Sequence, residues 1–173
     1  MIRTHVVMTE WIETERTRLR SFEAADAELA FPWFSDPEVM HFIPCGPDST
    51  LEDTRRRIAG YLDHETRFGF SKRLIIHRET GDAIGDSGLH HLPDGQRIEL
   101  GFRLARPYWG QGYALEVGRA WLEWFDAHLQ GMPLFADVHP DHLRSQSVLE
   151  KLGFARSHAE PVFGMPMLIY RRR

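Results

Sequence analysis

Two tight turns set close together constrain this chain more than any other feature. Thr80-Gly81-Asp82 and Pro93-Asp94-Gly95 carry the residue types that reverse a backbone within a few steps. They separate three runs that read as strands: residues 70–78, centred on Leu74-Ile75-Ile76, then 83–92, then 97–104. Connections this short join antiparallel neighbours, because a parallel return needs a crossover of a dozen residues or more. A three-strand meander is therefore the expected centre of the fold.

The pattern on either side is mixed. Residues 16–22 alternate, with Leu19 and Phe22 apolar, and predict a first strand. Residues 23–34 take helical spacing, with Ala25, Leu29 and Trp33 on one face. Asp36-Pro37 predicts a second, short helix capped by Asp36. Ser49-Thr50-Leu51-Glu52 reads as a capping box opening a third, which turns Leu51, Ile58 and Leu62 inward and fades by Phe68-Gly69. Beyond the meander, Leu115, Gly118, Leu122, Phe125 and Leu129 mark the buried stripe of a long helix. A strand over 133–138, a helix over 144–152 stopped by Gly153, and a hairpin of 154–158 with 165–170 complete the chain. This order predicts an α+β (mixed α/β) fold over residues 1–173, with helices on both faces of a largely antiparallel sheet.

Composition excludes several functions. A length of 173 residues, 42% hydrophobic and 27% charged, suits one soluble domain with a real core. No apolar run approaches the roughly 20 residues of a membrane span. Residues 1–20 are polar and acid-bearing, and read as neither a signal nor a transit peptide. The single cysteine, Cys45, excludes an internal disulfide framework and implies a reducing cytoplasm. A net charge of −4 offers no broad basic face for nucleic acid; Arg55-Arg56-Arg57 and Arg171-Arg172-Arg173 read as solvated charge. His139 with His142, and His90 with His91, meet no carboxylate or cysteine at metal-site spacing, so no metal is expected.

The chemistry centres on residues 104–115. A strand ends, Pro107 stops its ladder, and Gly110 and Gly112 precede a helix that begins around Gly112. Glycines let backbone approach a ligand closely, and the unpaired N–H groups of residues 110–115 face one space at the positive end of a helix dipole. Such a turn suits a pyrophosphate. It has no Gly-Lys-Ser/Thr ending for a P-loop, and it follows a hairpin strand instead of opening a βαβ unit, which disfavours nucleoside triphosphates and dinucleotides.

The surrounding residues carry a resemblance. Glu99-Leu100-Gly101-Phe102-Arg103-Leu104 followed by Tyr108-Trp109-Gly110-Gln111-Gly112-Tyr113-Ala114-Leu115-Glu116 resembles the acetyl-CoA-binding segment of the GNAT superfamily of N-acetyltransferases. It is similar in particular to the ribosomal-protein-alanine N-acetyltransferase branch. Asp137-Val138-His139-Pro140-Asp141-His142-Leu143-Arg144-Ser145 with Val148-Leu149-Glu150-Lys151-Leu152-Gly153-Phe154 agrees, as do Thr17-Arg18-Leu19-Arg20, Ser35-Asp36-Pro37-Glu38-Val39-Met40 and Ile84-Gly85-Asp86-Ser87-Gly88-Leu89. The resemblance runs from about residue 14 to 170.

It implies a sheet that splays between the strand before the glycine turn and the strand after the long helix. The pantetheine arm of acetyl-CoA would then pair with the backbone of Phe102, Arg103 and Leu104. The pyrophosphate would lie on Trp109, Gly110, Gln111, Gly112, Tyr113, Ala114 and Leu115. Acetyl transfer to an amine needs the neutral amine and hence a base. Glu99 is the first candidate; His90 and His91 on the adjacent strand are rivals, of which alternation puts one on the cleft's face. The tyrosine that protonates the departing thiolate in many relatives is here Leu149, and Ser145 stands as the alternative acid, against the simpler role of helix N-cap. His142 replaces the usual cofactor-bonding asparagine, and Trp109 a residue that is basic or amide in many relatives.

The acceptor pocket is expected between residues 33–51 and 160–167. Phe34, Met40, Phe42, Phe163 and Met165 would form an apolar lining, and Asp36, Glu38, Asp48 and Glu52 would favour a cationic amine. A peptide N-terminus and a small-molecule amine both fit this reading. Cys45 reads as incidental, and a homodimer through edge strands or the C-terminal hairpin is the expectation for self-association. The alternative reading is a non-catalytic acyl-CoA-binding sensor or assembly module, in keeping with Leu149 and His142.

Overall fold

The computed structural model describes residues 11–92 and 94–173. The first ten residues of the polar N-terminal stretch, and Pro93 of the second turn, lie outside the described residues. Twelve main elements follow one another: β1 Ile12–Glu13, β2 Thr17–Ser21, α1 Ala27–Phe34, α2 Leu51–Phe68, β3 Lys72–His77, β4 Ala83–His91, β5 Ile98–Leu104, α3 Tyr113–His128, β6 Leu134–Val138, α4 Leu143–Lys151, β7 Phe154–Val162 and β8 Met165–Arg172.

The meander forms as its turns require. The N–H of Gly81 donates to His77 O and that of Gly95 to Leu92 O, closing β3 on β4 and β4 on β5. The strands assemble into one sheet in the order β1-β2-β3-β4-β5-β6-β8-β7. Every neighbouring pair is antiparallel except β5–β6. That exception follows from α3, which carries the chain back across the sheet as a crossover.

The parallel pair is also where the sheet opens. β5 pairs with β4 along its whole length, Gly85↔Leu104 through His91↔Ile98. It pairs with β6 only at Ile98↔Leu134 and Glu99↔Phe135. Beyond that point β6 turns its pairing to β8, from Phe135↔Arg171 to Val138↔Leu168. The two strands therefore part after Glu99, as expected for a splayed sheet.

Two apolar layers hold the sheet. One side packs Leu19, Ile75, Leu89, Ile98, Leu100 and Leu104 against Val117, Trp121 and Phe125 of α3 and Leu149 of α4. The other packs Phe22 and Leu74 against Ala27, Ala30, Trp33 and Phe34 of α1 and Ile58 of α2. Helices thus cover both faces.

Several local expectations are corrected. Helix α1 turns Ala27, Ala30, Trp33 and Phe34 inward, while Ala25 precedes it exposed and Leu29 faces solvent. A 3-10 turn at Ala24–Asp26 delays the start of the helix, so its first half buries Ala27 and Ala30 in place of Ala25 and Leu29, while Trp33 is buried as expected. Asp36-Pro37 opens only one turn, Met40 N–H to Asp36 O, before Pro44 and Pro47 make helix continuation impossible. The box on α2 sits one residue later: Thr50 accepts from Asp53 N–H and Asp53 accepts from Thr50 N–H. Leu51 and Leu62 are half-buried, and Thr54 and His64 accompany Ile58 as the buried residues of α2. On α3, Tyr113, Val117 and Trp121 join the buried stripe, while Leu115 and Leu129 lie half-buried at its edge. The final hairpin is longer than expected, with β7 reaching Val162 and β8 reaching Arg172.

A charged anchor fixes α1 and α2 to the meander. Asp86 on β4 accepts from Arg103 Nε at 3.0 Å and Nη2 at 2.6 Å, and from Trp33 Nε1 at 3.2 Å; Arg103 also donates to Tyr61 of α2 at 2.7 Å. The guanidinium lies 5.0 Å from the Phe34 ring centre. Losing one member of such a buried pair leaves an uncompensated charge. Asp86→Ala is therefore expected to lower stability by about 3–5 kcal/mol in chemical denaturation, and a double variant with Leu at 86 and Met at 103 to recover most of that loss.

Candidate functional site

The loop from β5 to α3 turns twice through the left-handed region, at Gly110 (φ 72°) and Gly112 (φ 85°). Gly112 is the N-cap of α3 and brings no side chain to the helix end. No hydrogen bond among the described residues uses the N–H groups of residues 110–115, and a Cβ on Gly110 would meet nothing within 4 Å. Six amides and a helix N-terminus thus face open space, a fit for a phosphate-bearing ligand.

The turn is braced from both sides. Arg16, before β2, donates through Nη1 to Gln111 O at 3.0 Å and pairs with Glu116 at 2.7 Å. Its guanidinium stands 4.1 Å from the centre of the buried Tyr113 ring. Glu116 also accepts from Thr14 Oγ1 and from Arg16 N–H, which hold its carboxyl below the ordinary range against the opposing effect of burial. On the other side Trp109 donates from Nε1 to Leu104 O at 2.7 Å, and Arg144 of α4 lies 5.7 Å from its ring centre. Leu104 O is therefore occupied. Arg97 O accepts from Leu92 N–H and Ala105 N–H donates to Ile84 O, so alternation turns the backbone of Gly101 and Arg103 to β4 and that of Leu100 and Phe102 to the splay.

At the start of α4, His142 serves as the helix cap. Its Nδ1 accepts from Ser145 N–H at 3.1 Å, which makes His142 the N-cap and places Ser145 inside the first turn. An Nδ1 that accepts leaves the ring proton on Nε2, which faces Ser145 Oγ at 3.3 Å. Ser145 then accepts from the ring and keeps its own hydroxyl hydrogen available. Burial and the nearby Arg144 hold the His142 pKa down, in keeping with this neutral tautomer.

The face of the meander beneath α1 and α2 carries a polar row. Glu99 and His90 are register partners and share this face. His90 donates from Nδ1 to His91 O and stacks on His64 at 3.8 Å. His91 is placed elsewhere, packed against Phe68, Phe70 and His64. Two groups that sequence reasoning passed over, the buried Lys72 and the half-buried Asp137, complete the row. Lys72 on β3 donates to Gly88 O at 3.2 Å, and burial pulls its pKa down. Asp137 on β6 lies within hydrogen-bonding reach of Glu99, and burial with Glu99 beside it pushes its pKa up to about 8. A lysine opening a strand looks like a solvent residue; only the pairing of β3 with β4 puts it opposite Gly88. Alternation between Ala136 and Val138 was the available signal for Asp137.

The expected acceptor walls are largely committed. Phe34 and Met40 are core residues. Asp36 and Glu38 both pair with Arg106, at 2.7 and 2.8 Å, and Asp48 with Arg57 at 2.5 Å. Glu52 pairs with Arg55 at 3.4 Å. Cys45 is exposed, 3.5 Å from Arg57 Nη1. Phe42 sits between His139 (4.9 Å) and His142 (4.7 Å), docking the α1–α2 loop onto the loop that leads to Ser145. Met165 is half-buried and Phe163, 80% exposed at φ 47°, forms the tip of the β7–β8 hairpin. Arg97 at the head of β5 reaches Glu160 of β7 at 3.0 Å and ties that hairpin to the meander.

Known proteins share this arrangement. The Acetyltransferase (GNAT) domain family matches residues 16–155. The protein YkkB of Bacillus subtilis (strain 168) is 30% identical over 166 residues, covering 92% of this chain and 94% of its own. An acetyltransferase from Agrobacterium tumefaciens str. C58 superposes with a TM-score of 0.83 at 26% identity, over 100% of this chain and 99% of its own. A ribosomal-protein-S5-alanine acetyltransferase from Vibrio fischeri shares the fold, with a TM-score of 0.77 at 16% identity over 94% and 96% of the two chains. Among the described residues no helix is long and apolar enough to cross a membrane, and no group of three His, Cys, Asp or Glu is arranged to hold a metal ion.

One histidine beside the site generates a pH dependence. His64 donates from Nδ1 to Phe70 O at 2.7 Å and accepts at Nε2 from His91 N–H at 3.0 Å, so it is held neutral. Burial, then the neighbouring His90, lowers its pKa from 6.5 to about 4. A depressed histidine pKa means that the unfolded chain binds the proton first, so stability falls as pH drops from 6.5 towards 4. At about 1.4 kcal/mol per pH unit of displacement, His64 accounts for roughly 3 kcal/mol of that loss. His64→Gln keeps a donor and an acceptor without titrating; urea denaturation is expected to show the wild-type advantage over it shrinking across this window.

Proposed function

The chain belongs to the GNAT acetyltransferase family, and from that premise we propose that it moves the acetyl group of acetyl-CoA directly to a primary amine, with Glu99 as the base. The observation that carries this reading is the place of Glu99. It belongs to the last residue pair before β5 and β6 part, so its carboxyl stands at the throat of the opening. Its face is that of α1 and α2, opposite the apolar layer under α3 and α4.

Acetyl-CoA, when bound, supplies the thioester. The protein supplies the rest. The amides of residues 110–115 hold the pyrophosphate, with Arg16 and Trp109 keeping the turn in shape. The backbone of Phe102, turned to the splay, pairs with the pantetheine amides as an added strand would. Glu99 takes the ammonium proton, which leaves a lone pair on the amine nitrogen. Ser145, its oxygen engaged by His142, offers its hydroxyl hydrogen to the developing thiolate. His90 is the rival base, but its Nδ1–H is committed to His91 O and its ring is stacked on His64. The acceptor is a peptide N-terminus or a small-molecule amine entering between the α1–α2 loop and the β7–β8 hairpin.

Thiol release from acetyl-CoA across a panel of peptides and small amines tests the acceptor class; turnover on none of them would sink it. Glu99→Gln is expected to reduce turnover about 10²–10⁴-fold and to flatten the rise of rate with pH. Gly112→Val forces a β-branched residue to a φ of 85° and is expected to weaken coenzyme A binding, read by calorimetry, while circular dichroism stays native.

A further inference from the structure

The polar row contains more acid than one base requires. Asp137 extends from β6 on the side of Glu99, since Glu99 pairs with Phe135 and residues two apart share a face. The two carboxyls lie within hydrogen-bonding reach. Carboxylate oxygens are acceptors only, so such a contact is stable only with a proton between them. The other Asp137 oxygen, Oδ1, is buried without a hydrogen-bond partner among the described residues. Glu99 and Lys72 are the side chains that act on the Asp137 carboxyl.

Lys72 completes the group from β3. A Cβ on Gly101 would collide with Lys72 Nζ and stand 3.4 Å from Glu99 Oε1, so both side chains converge over Gly101. The remaining charged and titratable groups facing this row are Asp86 and His90 of β4, Arg103 of β5 and Tyr61 of α2. Asp86, Arg103 and Tyr61 are already bonded to one another. That leaves Lys72 as the counter-charge for the two carboxyls.

We propose that Asp137 is a positioning partner of Glu99: the two half-buried carboxyls hold one proton between them, with Lys72 as counter-charge, and this pair receives the acceptor's proton. The inference rests on Glu99 as the base. In the step itself the ammonium N–H bond breaks, its electron pair stays on nitrogen, and an O–H bond forms on Glu99. The pair then holds two protons until one is released to solvent.

The test is carboxyl ¹³C NMR titration of aspartate-labelled protein, with Asp137→Asn assigning the signal, beside the pH profile of kcat/KM. The expected result is an Asp137 signal titrating at about 8, lost from that range in Glu99→Gln and moved higher in Lys72→Met, since the lysine cation favours loss of the proton. Asp137→Asn should remove the same ionisation from the kinetic profile and lower turnover about tenfold with little change in KM. A destabilised core would lower rate without moving an ionisation, and Lys72→Met shifts it without touching either carboxyl. An Asp137 signal in the ordinary carboxylate range, or one indifferent to Glu99→Gln, overturns the proposal. If Glu99→Gln retains full turnover while the Asp137 signal still responds to it, the shared proton stands and Glu99 as base falls.

Discussion

The separation of β5 from β6 is the constraint on which the rest of this structure depends. Unpaired strand edges inside a protein are unfavourable unless something satisfies them. Here the ladder lasts two residue pairs and then opens, with β5 still held by β4 and β6 by β8. Both lips of the opening are therefore rigid. The glycine turn follows directly from the free end of one lip and α4 from the free end of the other. Cradle, cap and carboxylates take their positions from that one break.

Each side of the break is stiffened by polar contacts that apolar packing alone would not provide. Arg16 and Glu116 lock the β1–β2 turn to the first turn of α3, and Phe42 wedges the α1–α2 loop between two histidines of the β6–α4 loop. Asp86 with Arg103 holds α1 and α2 to the meander through Trp33 and Tyr61. The sheet-facing row therefore combines a structural ion pair with titratable groups a few residues away. Burial moves the titratable ones towards neutrality, raising Asp137 and lowering Lys72.

Much of this was legible in the sequence, and the parts that were not share a cause. The meander, the long helix and the glycine turn are specified by neighbours in the chain, and local signals identify them. The error on α1 arose where a 3-10 turn moved the start of the helix, while the short helix expected at Asp36-Pro37 amounts to a single turn. Glu99, His90, Ser145 and His142 were singled out because each lies in a run with its own chemical signature. Lys72 and Asp137 belong to different strands, and their meaning comes from register across three ladders, which no single window contains. His142 shows a role that the comparison with asparagine did not suggest: its imidazole nitrogen caps α4.

Gly101 carries a consequence for where the buried lysine rests. Its missing side chain is not required by a turn, since it sits mid-strand outside the left-handed region. The space its Cβ would fill is taken by Lys72 Nζ, two strands away, with Glu99 Oε1 3.4 Å from the same point. Nζ is the far end of a flexible side chain, so a methyl group at 101 would be accommodated by moving the ammonium and leaving the strand in place. The glycine is thus a seat for a charge.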